Sequence, residues 1–95
     1  MDKRTEYIEY ISAQMVEWDT QIDQLEFKVE SATYDKRIEY LNVLEALKLK
    51  RNEAAVKLQG ISTASDTEWE NVKSGTEQVW SEVRTILHDA VVEIT

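Results

Sequence analysis

Trp69, Trp80 and Val91 are spaced eleven residues apart, and so are Val72, Val83 and Ile94. Glu68, Val79 and Ala90 keep the same step, as do Lys73 and Arg84. Eleven residues close three turns of an α-helix at about 3.67 residues per turn, so such a segment presents the same side chain to the same side throughout. This stretch is therefore a helix with one heavy apolar stripe, and the stripe needs another helix to lie on. The rest of the chain points the same way. Its 95 residues include no proline and two glycines, Gly60 and Gly75, which favours long uninterrupted helices. The aromatic residues are spread out rather than set in strand-like alternation. The fold class is all-α.

On a helical wheel one stripe runs through Tyr7, Ile8, Ile11, Met15, Trp18, Ile22, Leu25, Val29 and Ala32. It resumes in the same phase with Tyr40, Val43, Leu44, Leu47, Ala54, Leu58 and Ile61. Phase kept across the gap at 31–34, which holds no Gly, Pro or Asn, is what one unbroken helix would show. The favoured reading is a single helix over about residues 3–59, a rod of roughly 85 Å. It is followed by a turn at 60–65 and a second helix over about 66–93, making an antiparallel coiled-coil hairpin in a single domain that assembles as a dimeric bundle. The alternative is a monomeric three-helix bundle with a break near 31–34. An internal echo supports the alternative: Asp2-Lys3-Arg4-Thr5-Glu6-Tyr7 resembles Asp35-Lys36-Arg37-Ile38-Glu39-Tyr40, and an Asp can cap a helix start.

Gly60 suits the left-handed position that ends a helix. Ser65-Asp66-Thr67-Glu68 matches a capping box, with Ser65 on the Glu68 amide and the Glu68 carboxylate reaching back. Gly75 sits near the apolar stripe, where close approach by a neighbouring helix or a Trp ring would explain it, and a hinge is the other explanation. The middle segment has a second apolar face of Phe27, Tyr34, Ile38, Leu41, Leu49 and Val56, so it is expected to lie between two neighbours.

The net charge of −8 disfavours nucleic acid. It divides as −5 over residues 1–32, +2 over 33–60 and −5 over 61–95. Such complementarity selects partner and orientation more than it adds stability, and it supports an antiparallel arrangement of the acidic N-terminal half on the basic middle. Arg51 falls in phase with the main stripe, where pairing with an acid across an interface would fix register. Asp19, Asp23, Glu26 and Glu30 form an edge suited to meet Lys48, Lys50, Arg51 and Lys57.

No reactive constellation emerges. There is no cysteine, no Ser-His-Asp order, no phosphate loop and no HExxH. His88 is the one histidine, and Thr85 stands where a Glu-x-x-His metal pair would need its acid. Nothing resembles a calcium loop. Trp18, Trp69 and Trp80 have the spacing of a packing stripe rather than of an aromatic pocket. Neither catalytic residues nor a metal or cofactor site is expected. Met1-Asp2-Lys3-Arg4-Thr5-Glu6 leads into no apolar run and no stretch reaches the ~18 apolar residues of a membrane span, so a cytoplasmic location is the default.

Trp69-x3-Lys73-x-Gly75-x-Glu77-x2-Trp80 recurs in a group of small bacterial coiled-coil proteins of unknown function, described at most as stress-associated. Glu17-Trp18-Asp19, Ile22-Asp23-x-Leu25-Glu26 and Arg51-Asn52-Glu53-Ala54 add to the likeness. The chain resembles that group over nearly its whole length. The resemblance implies a helical coiled coil and supplies no substrate or catalytic residue.

The function expected is therefore a non-enzymatic, self-associating structural or protein-interaction module, with a homodimer favoured and an unidentified protein partner left open. The self-association interface is expected at Ile8, Ile11, Met15, Trp18, Ile22, Leu25, Tyr34, Ile38 and Leu41. Hairpin packing is expected at Leu47, Leu58, Trp69, Val72, Val79, Trp80, Val83 and Leu87. The alternative is reversible binding to a membrane or lipid surface through the eleven-residue repeats, which the acidic C-terminal helix opposes.

Overall fold

Asp2 starts the first helix, α1 (Lys3–Glu30): its carboxylate accepts the amide of Arg4 at 3.2 Å. The computed structural model describes residues 2–94 and has two further helices, α2 (Tyr34–Thr63) and α3 (Trp69–Ile94). The all-α expectation holds. The single helix over 3–59 does not form, and the chain breaks at 31–33 as in the three-helix alternative.

Local hydrogen bonding explains the break. The amides of Ser31 and Ala32 turn back to the carbonyls of Lys28 and Val29, and Ser31 Oγ donates to the carbonyl of Phe27 at 3.3 Å. Thr33 is extended (φ −63°, ψ 160°) and its carbonyl accepts the Arg37 amide at 2.8 Å, opening α2. Ser and Thr offer the backbone such alternatives to the helical ladder. The Arg37 guanidinium then donates to the carbonyls of Glu30 (3.1 Å) and Ala32 (3.4 Å), satisfying acceptors that a helix end leaves open.

The internal echo acquires a meaning here. Arg4, the counterpart of Arg37, performs the same task at the other end of the bundle. It donates to the carbonyls of Ile61 and Ala64 at the end of α2 and pairs with Asp66 at 2.7 Å. Each arginine near a helix start thus closes the C-terminus of a neighbouring helix. Asp35 is not the counterpart of Asp2 as a cap, because Thr33 holds the cap position.

The second connection also differs from expectation. Gly60 lies inside α2 without positive φ, and the helix ends at Ala64, which is extended (φ −66°, ψ 154°). The capping box is not made. Ser65 Oγ lies 3.2 Å from Thr67 Oγ1, and it is the Ser65 carbonyl that accepts the amides of Glu68 and Trp69, both at 3.1 Å. Regular helix therefore begins at Trp69 rather than at 66.

The three helices run up, down and up, and the longest extent of the molecule is 51 Å, close to one helix of this length and far short of an 85 Å rod. The core along the axis takes Ile11, Met15, Trp18, Ile22, Leu25 and Val29 from α1, and Leu44, Leu47, Ala54 and Ile61 from α2. From α3 it takes Trp69, Val79, Trp80, Val83, Leu87, Ala90 and Ile94. Trp18 and Trp80 meet at its centre with ring centroids 5.1 Å apart and planes tilted by 47°. Register between α1 and α2 is marked by a bidentate Arg51–Asp19 pair, 2.7 Å at each contact, and by Lys48–Glu26. Lys50 ties α2 to α3 through Glu82 at 2.6 Å.

Candidate interaction surface

The fold redistributes the residues expected at an interface between chains. Ile11, Met15, Trp18, Ile22 and Leu25 are buried inside the chain's own core, and Ile8 is partly buried against it. This corrects their assignment to self-association. The reason is the bend at 31–33, which brings α1 onto α2 and α3 of the same chain and meets the acidic-on-basic complementarity internally. Of the expected set, Tyr34, Ile38 and Leu41 remain on the surface. Of the residues expected in hairpin packing, Leu47, Trp69, Val79, Trp80, Val83 and Leu87 are buried in the common core, with Leu58 and Val72 partly so.

The second apolar face of the middle segment stays largely uncovered within the chain, with Leu41 alone bordering α1 beside Glu26, Val29 and Glu30. Tyr34, Ile38, Leu41, Leu49 and Val56 are all exposed, Leu49 and Val56 by about two thirds (64% and 68%). With Glu45 and Asn52 they form the steps 34, 38, 41, 45, 49, 52 and 56. These intervals of three and four residues draw a line along one side of a helix. The core face of α2 points the other way, through Leu44, Leu47, Ala54 and Ile61. Asp35 and Glu53 border one side of the exposed line, and Arg37 and Lys48 border the other. Phe27, 72% exposed, adds apolar surface near the end of α1.

The eleven-residue stripe of α3, by contrast, is used up in the core: Trp69, Trp80, Val83 and Ile94 are buried, and Val72 and Val91 pack beside them. The face that suggested lipid binding is thus occupied. Among the described residues, no helix is long and apolar enough to cross a membrane.

Several of the acids and bases settle into pairs. Lys50 binds Glu53 (2.9 Å) and Glu82, and its hydrogen bond holds the Glu82 carboxyl below the ordinary carboxylate range. The same contacts raise Lys50, first through Glu82 and then through Glu53. Arg51 is raised by its hydrogen bonds to Asp19. Among the described residues no group of three or more His, Asp or Glu side chains converges in a way that could hold a metal ion. Gly75 does not mark a tight helix crossing, because the nearest atom to a Cβ built there is the tip of Lys57 at 3.9 Å.

Between α1 and α3 the packing leaves a groove in two adjoining parts. One, of about 350 Å³, is lined by Gln14, Glu17, Trp18, Gln21, Arg84, Leu87, His88 and Val91. The other, of about 240 Å³, is lined by Tyr7, Tyr10, Ile11, Gln14, Glu77, Trp80 and Arg84. Lys73 Nζ sits 4.9 Å above the Tyr7 ring at its rim. Burial pushes the Tyr7 phenol up, with the Glu77 carboxylate adding to it and Arg84 opposing. Sequence reasoning did not single out Tyr7, Gln14 and Arg84 as a group. Their convergence depends on how α1 lies against α3, and no spacing within either helix signals it.

No family model, curated protein or solved structure matches the chain.

Proposed function

We propose that the chain is a non-enzymatic helical module that associates with a second copy of itself through the outward line of α2. The observation that carries this reading is the exposed run of Tyr34, Ile38, Leu41, Leu49 and Val56 at coiled-coil spacing. A helix apolar on two opposite sides is ordinarily covered on both, and a patch of this kind marks an interaction site.

Two arguments favour a second copy as the occupant. The five side chains expose on the order of 500 Å² per chain, so a pair would bury about 1,000 Å², the lower bound of a specific interface. The edge charges also fit. Parallel copies of α2 set the Arg37 and Lys48 edge of one chain against the Asp35 and Glu53 edge of the other, as flanking positions do in coiled coils. Lys48 and Glu53 already have partners on the surface, but exposed ion pairs exchange at little cost, and Arg37 bonds the Glu30 and Ala32 carbonyls through Nη2, which leaves Nη1 and Nε for an acid of the second copy. Asn52 in the line sets register, and Glu45, which meets its own copy across the pair, keeps the association weak. The resemblance to stress-associated bacterial coiled coils agrees with a module of this kind.

Sedimentation equilibrium tests the reading. The wild type should show a reversible monomer–dimer equilibrium. Leu49→Lys should sediment as a monomer with an unchanged melting temperature, since Leu49 is outside the core. Glu45→Leu should tighten the dimer. A wild type that stays monomeric at millimolar concentration, or a dimer indifferent to both substitutions, would remove the α2 line from the interface.

A further inference from the structure

The outward line of α2 has one carboxylate, and it stands at the midpoint. Glu45 follows Tyr34, Ile38 and Leu41 and precedes Leu49, Asn52 and Val56, with Leu41 and Leu49 a turn away on either side. Its side chain is exposed, and among the described residues it makes no ion pair or hydrogen bond.

No element of its own chain covers it. The core face of α2, through Leu44, Leu47, Ala54 and Ile61, is turned to α1 and α3, and Glu45 points the other way. The nearest cation along its own helix is Lys48, which is drawn to Glu26 of α1. On the α3 side Lys50 is taken up by Glu53 and Glu82. No cation of the fold is paired with Glu45.

In a parallel pair related by a two-fold axis, each residue of the line meets its own counterpart. Two Glu45 carboxylates then come together between layers of leucine, withdrawn from water. Ionised, they repel and lose hydration as well, whereas a pair holding one proton replaces the repulsion with a hydrogen bond. The groups facing this point from the second copy are again Leu41, Glu45, Lys48 and Leu49. Each Lys48 stands on the edge, with Glu26 of its own chain and Glu53 of the other copy as its acids.

Resting on the parallel pairing of α2 set out above, we infer that the Glu45 pair makes self-association acid-sensitive: the dimer takes up a proton as it forms and tightens as pH falls from neutral toward the carboxylate range. Linkage fixes the sign, because a state that binds more protons is favoured at lower pH. The contact between α2 and α3 outlasts this change. Lys50 holds the Glu82 carboxyl below the ordinary carboxylate range, so that ion pair is lost only at lower pH. Acid thus strengthens association before it weakens the fold.

Sedimentation equilibrium of the full chain at pH about 7.5 and about 5.5 tests the switch. Salt at about 1 M, where the screening length is about 3 Å, suppresses the general repulsion of a chain with net charge −8. The wild-type dissociation constant should fall by about tenfold or more between the two pH values. Glu45→Gln, which keeps the shape and cannot ionise, should already associate tightly at the higher pH and change by less than about threefold. Equal tightening of wild type and Glu45→Gln would overturn the inference by assigning the effect to net charge. So would a wild-type constant that does not move while Leu49→Lys still abolishes the dimer, and in that case the α2 line remains the interface and only the switch fails. A chain that stays monomeric at both pH values, and in Glu45→Leu as well, would remove the pairing and the switch together.

Discussion

Gly60 shows how a single residue can be misjudged from its type. Glycine before a polar connector is a common helix end because it tolerates positive φ. Here the φ is not positive, and the helix runs on through Ile61, Ser62 and Thr63. The hydroxyls of Ser62 and Thr63 fold back onto the carbonyls of Leu58 (2.8 Å) and Gln59 (3.0 Å), so the polar connector is absorbed into the last helical turn. A Cβ at Gly60 would meet no atom within 4 Å. Gly60→Ala should therefore stabilise the fold by about 1 kcal/mol through helix propensity, raising the melting temperature by roughly 4–8 °C for a domain of this size. Circular dichroism melts measure it, and a lower melting temperature would return Gly60 to the left-handed helix end that its type suggested.

At the scale of elements, the helices are held in register by charged contacts that sequence could nominate but not assign. The acidic edge of α1 was expected to meet Lys48, Lys50, Arg51 and Lys57. Asp19 and Glu26 do take Arg51 and Lys48, but Lys50 turns to α3 and Glu82 instead. A helical wheel gives the side on which a lysine lies, not which of two flanking helices it will reach. The Lys50–Glu82 clasp has a pH signature. The folded Glu82 carboxyl is depressed by the Lys50 hydrogen bond, so its contribution is present above the ordinary carboxylate range and is lost as pH falls through the depressed value. Lys50 is raised, so its part is complete at neutral pH and disappears only above the ordinary lysine range. Acid titration of the melting temperature should therefore fall less steeply in Glu82→Gln than in wild type. Superimposable acid limbs would mean that the clasp contributes nothing measurable.

For the whole molecule the decisive fact is which chain covers α1. A dimer of long hairpins would place Trp18 between chains, and its removal would weaken assembly. In the three-helix bundle Trp18 is 4% exposed and packed against the tilted ring of Trp80 in the chain's own core. Trp18→Ala should then cost about 3–5 kcal/mol of folding stability, as large-to-small changes in a packed core do. The loss should be the same at all protein concentrations in urea unfolding. A loss that grew on dilution would instead put Trp18 at a contact between chains.

The periodicity alone determined that the chain is helical, which residues form the inner stripe of each helix, and that α2 carries apolar residues on two sides. These follow from side-chain identity at 3.6-residue spacing, a property local to each helix. Whether the first stripe belonged to one helix or two was decided only in three dimensions. In a bundle each helix must turn its stripe to a common axis, so two helices joined by a short connection can keep the same phase as one unbroken rod. Arg37 on the Glu30 and Ala32 carbonyls stabilises the bend locally, and Arg4 on the end of α2 stabilises the bent form through a contact between different helices, which no local pattern encodes. The grouping of Tyr7, Gln14, Trp80 and Arg84 has the same origin, because it exists only where α1 and α3 lie side by side.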